Sequence, residues 1–173
     1  MIKSKCQQSP SPSGAFGLAK LNVEVAAIED ARSILALQKL AYVSEAEIYG
    51  DYSIDPLTQT LDALCADFAE RVFLKVLVSG RIVGSVRGYL KHDTCHIGRL
   101  IVHPDFQNRG IGKRLMREME SFFSNAERYE LFTGHKSKRN LSLYKKLGYS
   151  PYKTERVHEN LVLVFLEKRR NAG

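Results

Sequence analysis

The chain has 173 residues, 44% of them hydrophobic, and a formal net charge of +7, a size and balance that suit one domain with a single core. No run approaches the roughly eighteen apolar residues of a membrane span, and the basic start Met1 to Lys5 is not followed by the apolar region of a signal peptide. Cys6, Cys65 and Cys95 are odd in number and far apart, which argues against a disulfide framework or a Cys-x-x-Cys metal site and points to a reducing, cytoplasmic setting.

Residues 1–20, with the stretch Gln7-Gln8-Ser9-Pro10-Ser11-Pro12-Ser13-Gly14, have too few apolar side chains to pack and are expected to form a disordered tail ahead of a single domain at 21–173. Alternation over 21–27 predicts a first strand. Asp30 is then placed to cap a helix carrying Ile34, Leu37, Ala41 and Ile48 at helical spacing. Asp55 as N-cap and Pro56 at the first helical position predict a second helix with Leu57, Leu61, Leu64 and Phe68. Residues 71–78 and 81–90 are β-rich runs joined at Ser79-Gly80, a hairpin signal, and 94–102 extends the meander. A helix over about 112–124 places Leu115, Met116, Met119, Phe122 and Phe123 on one face. A strand at 129–133, a helix at 138–147 and a nearly unbroken apolar strand at 160–167 complete the order β-α-α-β-β-β-α-β-α-β, a mixed α/β sheet without internal repeats.

The segment from Leu100, Ile101 and Val102 through His103, Pro104, Asp105, Phe106, Gln107, Asn108, Arg109, Gly110, Ile111 and Gly112 to Lys113 carries the clearest chemistry. It passes from a strand through a glycine-bearing loop into a helix. The leading N–H groups of a helix have no intrahelical partner and sit at the positive end of the macrodipole, so the junction suits a pyrophosphate. Glycine at 110 and 112 lets the main chain approach such a ligand. The Gly-x-x-x-x-Gly-Lys-Ser/Thr and Gly-x-Gly-x-x-Gly patterns of other nucleotide sites are absent.

Gln107-x-x-Gly110-x-Gly112 resembles the Gln/Arg-x-x-Gly-x-Gly/Ala signature of the GNAT superfamily of acetyl-CoA-dependent N-acetyltransferases. Some thirty residues on, Leu143-Tyr144-Lys145-Lys146-Leu147-Gly148-Tyr149 resembles the Leu-Tyr-x-Lys-x-Gly-Phe/Tyr end of the family's last helix. The resemblance covers approximately residues 21–168 and implies a mostly antiparallel central sheet flanked by helices. It also implies acetyl-CoA as co-substrate, with the pantetheine arm on the main chain of Leu100, Ile101 and Val102 at a bulged, splayed strand. The pyrophosphate would lie on Gln107, Asn108, Arg109, Gly110, Ile111, Gly112 and Lys113. Tyr144 takes the family's general-acid position, protonating the departing thiolate. The chain departs from the family pattern at Ser137, where asparagine is frequent, and has Asn140 one turn later; both are expected near the cofactor arm.

No residue announces itself as the base. His96, His103, His135, Glu45 and Glu47 are candidates, and Glu45 and Glu47 are also expected to meet the substrate. Between residues 21 and 70, ten acidic residues face only Arg32 and Lys39, a net of −8 in a chain of +7. An anionic CoA on one side and a cationic amine on the other would follow, so the expected partner is a polyamine, a lysine-like amine or a peptide amino terminus. No nucleic acid, membrane or metal is expected, and a homodimer stays open. Two other readings remain: a catalytically silent acetyl-CoA sensor, and a basic nucleic-acid-binding protein using Lys136 to Arg139, although no DNA- or RNA-binding motif accompanies that segment.

Overall fold

A computed structural model describes residues 21–170, so the expected N-terminal tail lies outside the described residues. Seven strands form one sheet in the order β1-β2-β3-β4-β5-β7-β6. They are β1 (Val23–Val25), β2 (Val72–Val78), β3 (Arg81–Lys91), β4 (Thr94–Val102), β5 (Arg128–Gly134), β6 (Ser150–His158) and β7 (Leu161–Arg169). Every neighbouring pair is antiparallel except β4 and β5. The helices are α1 (Ala31–Tyr49), α2 (Asp55–Thr58), α3 (Leu61–Glu70), α4 (Ile111–Phe122) and α5 (Lys138–Lys146).

The sheet is covered on both faces, which explains why its central strands carry apolar residues on both sides. Leu115, Met116 and Met119 of α4 pack with Leu74, Val76, Cys95 and Ile97 on one face. On the other, Ile34 and Leu37 of α1 and Leu64 of α3 enclose Phe73, Ile82 and Ile101. On β4, Cys95 and Ile97 face α4, yet so do Leu100 and Val102, while Ile101 faces α1. A one-residue bulge causes this change of parity: Ser85 pairs with Ile101 and Arg87 with Gly98, so β4 carries an extra residue at Arg99–Leu100, and Arg99 has φ 52°.

Four expectations are corrected. Residues 150–158 form a strand that the pattern did not reveal: β6 is an edge strand exposed along nearly all its length, so it has no apolar face to alternate, and Pro151 stands near its start, where an edge tolerates it. The expected second helix is two, because Gln59 and Thr60 break it, Asp55 lies inside α2 and the hydroxyl of Thr60 caps α3 by accepting from the Ala63 N–H at 3.2 Å. Asp30 occupies the cap position of α1, but its carboxylate accepts from the Ala27 N–H at 2.9 Å and from Lys75 Nζ at 2.6 Å instead of from α1. Ile48 and Phe122, expected on buried faces, are exposed, since it is Ala46 and Tyr49 of α1 and Met119 of α4 that turn inward there.

Candidate active site

Beyond His96 and Glu130 the parallel strands β4 and β5 have no further paired residues. Each continues, β4 to Val102 and β5 to Gly134, so a wedge opens between them and leaves main-chain groups of β4 unpartnered on that side. The bulge at Arg99–Leu100 bends the strand at this point. Leu100 and Val102 are half-buried, with side chains packed toward α4, and Ile101 is buried toward α1; what they offer to a ligand in the wedge is their backbone.

At the end of β4 a short turn, Pro104–Phe106, leads into α4. Gln107 ties this loop down: its Nε2 donates to the Val102 carbonyl at 3.1 Å, and its Oε1 accepts from Arg139 of α5. Asn108 and Gly110 are both left-handed, with φ of 60° and 78°, and Gly110 is the N-cap of α4. The first helical bond is Arg114 N–H to the Gly110 carbonyl at 3.0 Å, so the N–H groups of residues 111–113 point outward without a helical acceptor. Gly112 faces Leu143, Leu100 and Val102: a Cβ there would stand 3.5–3.8 Å from their side chains. The concavity in front has a volume of about 280 Å³ and carries Lys113, Arg139 and Lys146 but no acidic side chain. Arg109 is exposed and stacks on Phe106, outside that lining, and Ile111 contributes backbone while its side chain is core.

A second cavity of about 430 Å³ adjoins the first at Leu100 and Asn140, which line both. Its walls come from the wedge, from α1 and the segment after it, and from β6 and β7, and its polar side chains include Glu45, Asp51, Asp55, Arg99 and His158. Tyr144, projecting from α5, is buried in its wall. Burial, followed by the nearby Tyr42 and Glu45, pushes the Tyr144 phenol well above its usual pKa, so it holds its proton through the neutral range.

Glu45 is fixed by Ser137, whose hydroxyl donates to it, and by Asn140 Nδ2 at 3.4 Å. Ser137 is thus buried against Glu45 and lines neither cavity, whereas Asn140 also reaches Thr133 Oγ1 at 3.4 Å. Glu47 is exposed and outside both cavities. Among the histidines considered, His96 stacks on Tyr89 and lies 3.6 Å from Glu130, and burial keeps its pKa low despite that carboxylate. The His103 Nδ1 accepts from the Asp105 N–H, and His135 bonds the Val162 backbone. None of the three lines either cavity. His158, which does, stands on the strand the pattern did not reveal, 3.6 Å from Asp51. Tyr42, Arg99, Asp51 and Asp55 were likewise not foreseen; the spacing Tyr42, Glu45, Tyr49 on one face of α1 was the available signal for the first of them.

The family model described as "Acetyltransferase (GNAT) family" matches residues 32–149, and the chain belongs to that family. UPF0157 protein YqkA of Bacillus subtilis (strain 168) is 32% identical over 133 residues, which is 77% of this chain but 38% of that protein, so the chain spans well under half the length of this curated relative. The fold is similar to PaiA N-acetyltransferase from Thermoplasma acidophilum in complex with coenzyme A, with a TM-score of 0.71 at 17% identity over 87% of this chain and 99% of that one. Ribosomal-protein-S18-alanine N-acetyltransferase from Escherichia coli gives 0.72 at 11% identity over 86% and 93%. YncA from Salmonella typhimurium, solved with its cofactor acetyl-CoA, gives 0.67 at 16% identity over 87% and 94%. No described helix is long and apolar enough to cross a membrane.

Proposed function

We propose that this protein transfers the acetyl group of acetyl-CoA to a primary, cationic amine, with Tyr144 as general acid. The observation that carries the reading is the meeting of two cavities of opposite charge at Leu100 and Asn140, with Tyr144 in the wall of the second. The first fits the anionic end of CoA: unpaired N–H groups at a helix start, room before Gly112, and Lys113, Arg139 and Lys146 around it. The wedge between β4 and β5 then admits the pantetheine arm along the main chain of Leu100, Ile101 and Val102. Family membership and the two CoA-bound structures of similar fold support this order of parts.

The amine enters from the side of Glu45, Asp51 and Asp55, whose carboxylates concentrate cations there. Attack by the neutral amine on the thioester carbonyl forms the C–N bond, and the C–S bond breaks with its electron pair on sulfur. Tyr144 passes its phenolic proton to that thiolate, and the proton shed by the acylated nitrogen leaves to solvent, from which the phenolate regains its own. Glu45, held by Ser137 and Asn140, anchors a positive group of the acceptor. Of the basic segment Lys136 to Arg139, Arg139 meets Gln107 and lines the first cavity, while Lys136 and Lys138 are exposed.

Calorimetric titration with acetyl-CoA, followed by thiol release in the presence of amines, tests the reading. Micromolar binding with amine-dependent release is expected. Binding without release from a broad panel of amines would mark a sensor, and no binding would remove the cavity assignment altogether.

A further inference from the structure

The acceptor cavity contains a cation that the transfer reaction leaves unused. Arg99 lies at the bulge of β4 with a left-handed backbone, φ 52°, a conformation that non-glycine residues adopt uncommonly. The bulge turns its side chain to the α1 face, where the guanidinium sits 5.7 Å from the centroid of the Tyr42 ring in the cavity wall. Among the described residues it has no carboxylate partner. None of the carboxylates of this region is paired with it: Asp67 meets Arg87 at 2.5 Å and Arg71 at 3.1 Å, Glu45 meets Ser137 and Asn140, Asp51 meets the N–H and hydroxyl of Ser53, and Asp55, on the same cavity wall, is exposed. Arg87 next door is buried, and burial together with Arg99 brings its pKa down to about 10 in spite of its salt bridge to Asp67.

A half-buried, partnerless guanidinium in a cavity is a carboxylate receptor. We infer that the acceptor carries a carboxylate, held by Arg99, in addition to its amines, as a basic amino acid does, the ammonium lying toward Glu45, Asp51 and Asp55. This rests on the acetyl-transfer reading and narrows it: simple polyamines satisfy the acidic wall but leave Arg99 unmatched, whereas a diamino acid meets both.

The test uses matched pairs that differ by the carboxylate alone, lysine against cadaverine and ornithine against putrescine. Calorimetry measures their binding to the CoA-saturated protein, and thiol release from acetyl-CoA is followed in parallel, for wild type, Arg99→Gln and Arg99→Lys. The amino acid of at least one pair should bind about tenfold or more tightly than its diamine, a difference of about 1.4 kcal/mol. Arg99→Gln should abolish that advantage and Arg99→Lys keep part of it, with acetyl-CoA affinity unchanged in both. Diamines that bind as well as the amino acids in wild type would overturn the inference, as would a loss of acetyl-CoA affinity in Arg99→Gln, which would place the guanidinium on the cofactor. A carboxylate-dependent preference in binding without thiol release would uphold the receptor and count against acetyl transfer; thiol release that favours the diamines would do the reverse.

Discussion

Tyr144 and Tyr149 lie one turn apart in space, with ring centroids 6.1 Å from each other, yet their hydroxyls differ in what they meet. Tyr149 donates to Glu120 at 2.9 Å and is structural; Tyr144 opens on the acceptor cavity. Tyr144→Phe removes the proton donor and keeps the ring, so kcat should fall roughly 100-fold while acetyl-CoA affinity and Tm stay near wild type. Because burial raises the Tyr144 pKa, the phenol stays protonated at neutral pH, and any loss of activity in wild type below about pH 10 belongs to another group. Full kcat in Tyr144→Phe, under conditions where chemistry limits turnover, would end its role as acid. At the other cavity, Gly112→Ala adds a Cβ that the fold accommodates at 3.5 Å from Leu143 but that occupies the approach to the helix N–H groups. Acetyl-CoA binding should weaken at least tenfold, about 1.4 kcal/mol, with Tm little changed; unaltered affinity would show that the ligand does not come close there. Gly110 is unsuited to the experiment, since its φ of 78° penalises any side chain before ligand is considered. Gln107, Gly110, Gly112 and Tyr144 were legible because each belongs to a contiguous motif tied to one turn of chain. Arg99, Asp51 and His158 were not, because they converge from separate elements and none has a local spacing that announces it.

At the level of elements, the bulged β4 has the largest consequence, since one extra residue changes which side chains face α4 and exposes backbone in the wedge. Hydrophobic alternation over 94–102 predicted the strand and registers the bulge only as irregularity, whereas the resemblance implied a bulged strand here, and the extra residue lies at Arg99–Leu100. The same limit hid β6, whose exposed edge carries no periodic apolar face, and with it His158. Helix starts were read from Asp30 and Asp55, but Asp55 lies inside α2 and the Asp30 carboxylate is drawn to a tertiary neighbour. For Asp30 the neighbour is Lys75 of β2, and the pair locks the turn before α1 to the sheet. Burial opposes the Asp30 charge, yet Lys75 and the Ala27 N–H outweigh it and hold the pKa below its usual value. A depressed carboxylate contributes stability above its unfolded pKa, near 3.9, and loses it as pH falls through the folded value. Asp30→Asn should therefore cost about 1 kcal/mol at pH 7, and the difference from wild type should close below about pH 4 in chemical denaturation. A gap that persists at pH 2 would show that the contribution is not ionic.

Across the whole molecule, charge is divided in the way the sequence suggested. Glu45, Asp51 and Asp55, all from the acidic stretch 21–70, line the second cavity, while Lys113, Arg139 and Lys146 surround the first. That division predicts opposite behaviour from substrates of opposite charge as salt is added: KM for a cationic acceptor should rise as the field is screened, and a neutral amine of similar size should respond much less. Equal salt dependence for both would mean that the acidic residues act only as solvated surface. The central claim, acetyl transfer across the junction at Leu100 and Asn140, is tested most directly by the initial rate of thiol release from acetyl-CoA with and without a lysine-type amine at low ionic strength, the acetylated product being identified by mass. Release should saturate with amine, match N-acetyl product one for one and drop about 100-fold in Tyr144→Phe. Tight acetyl-CoA binding with thiol release no faster than spontaneous hydrolysis, whichever amine is supplied, would contradict it.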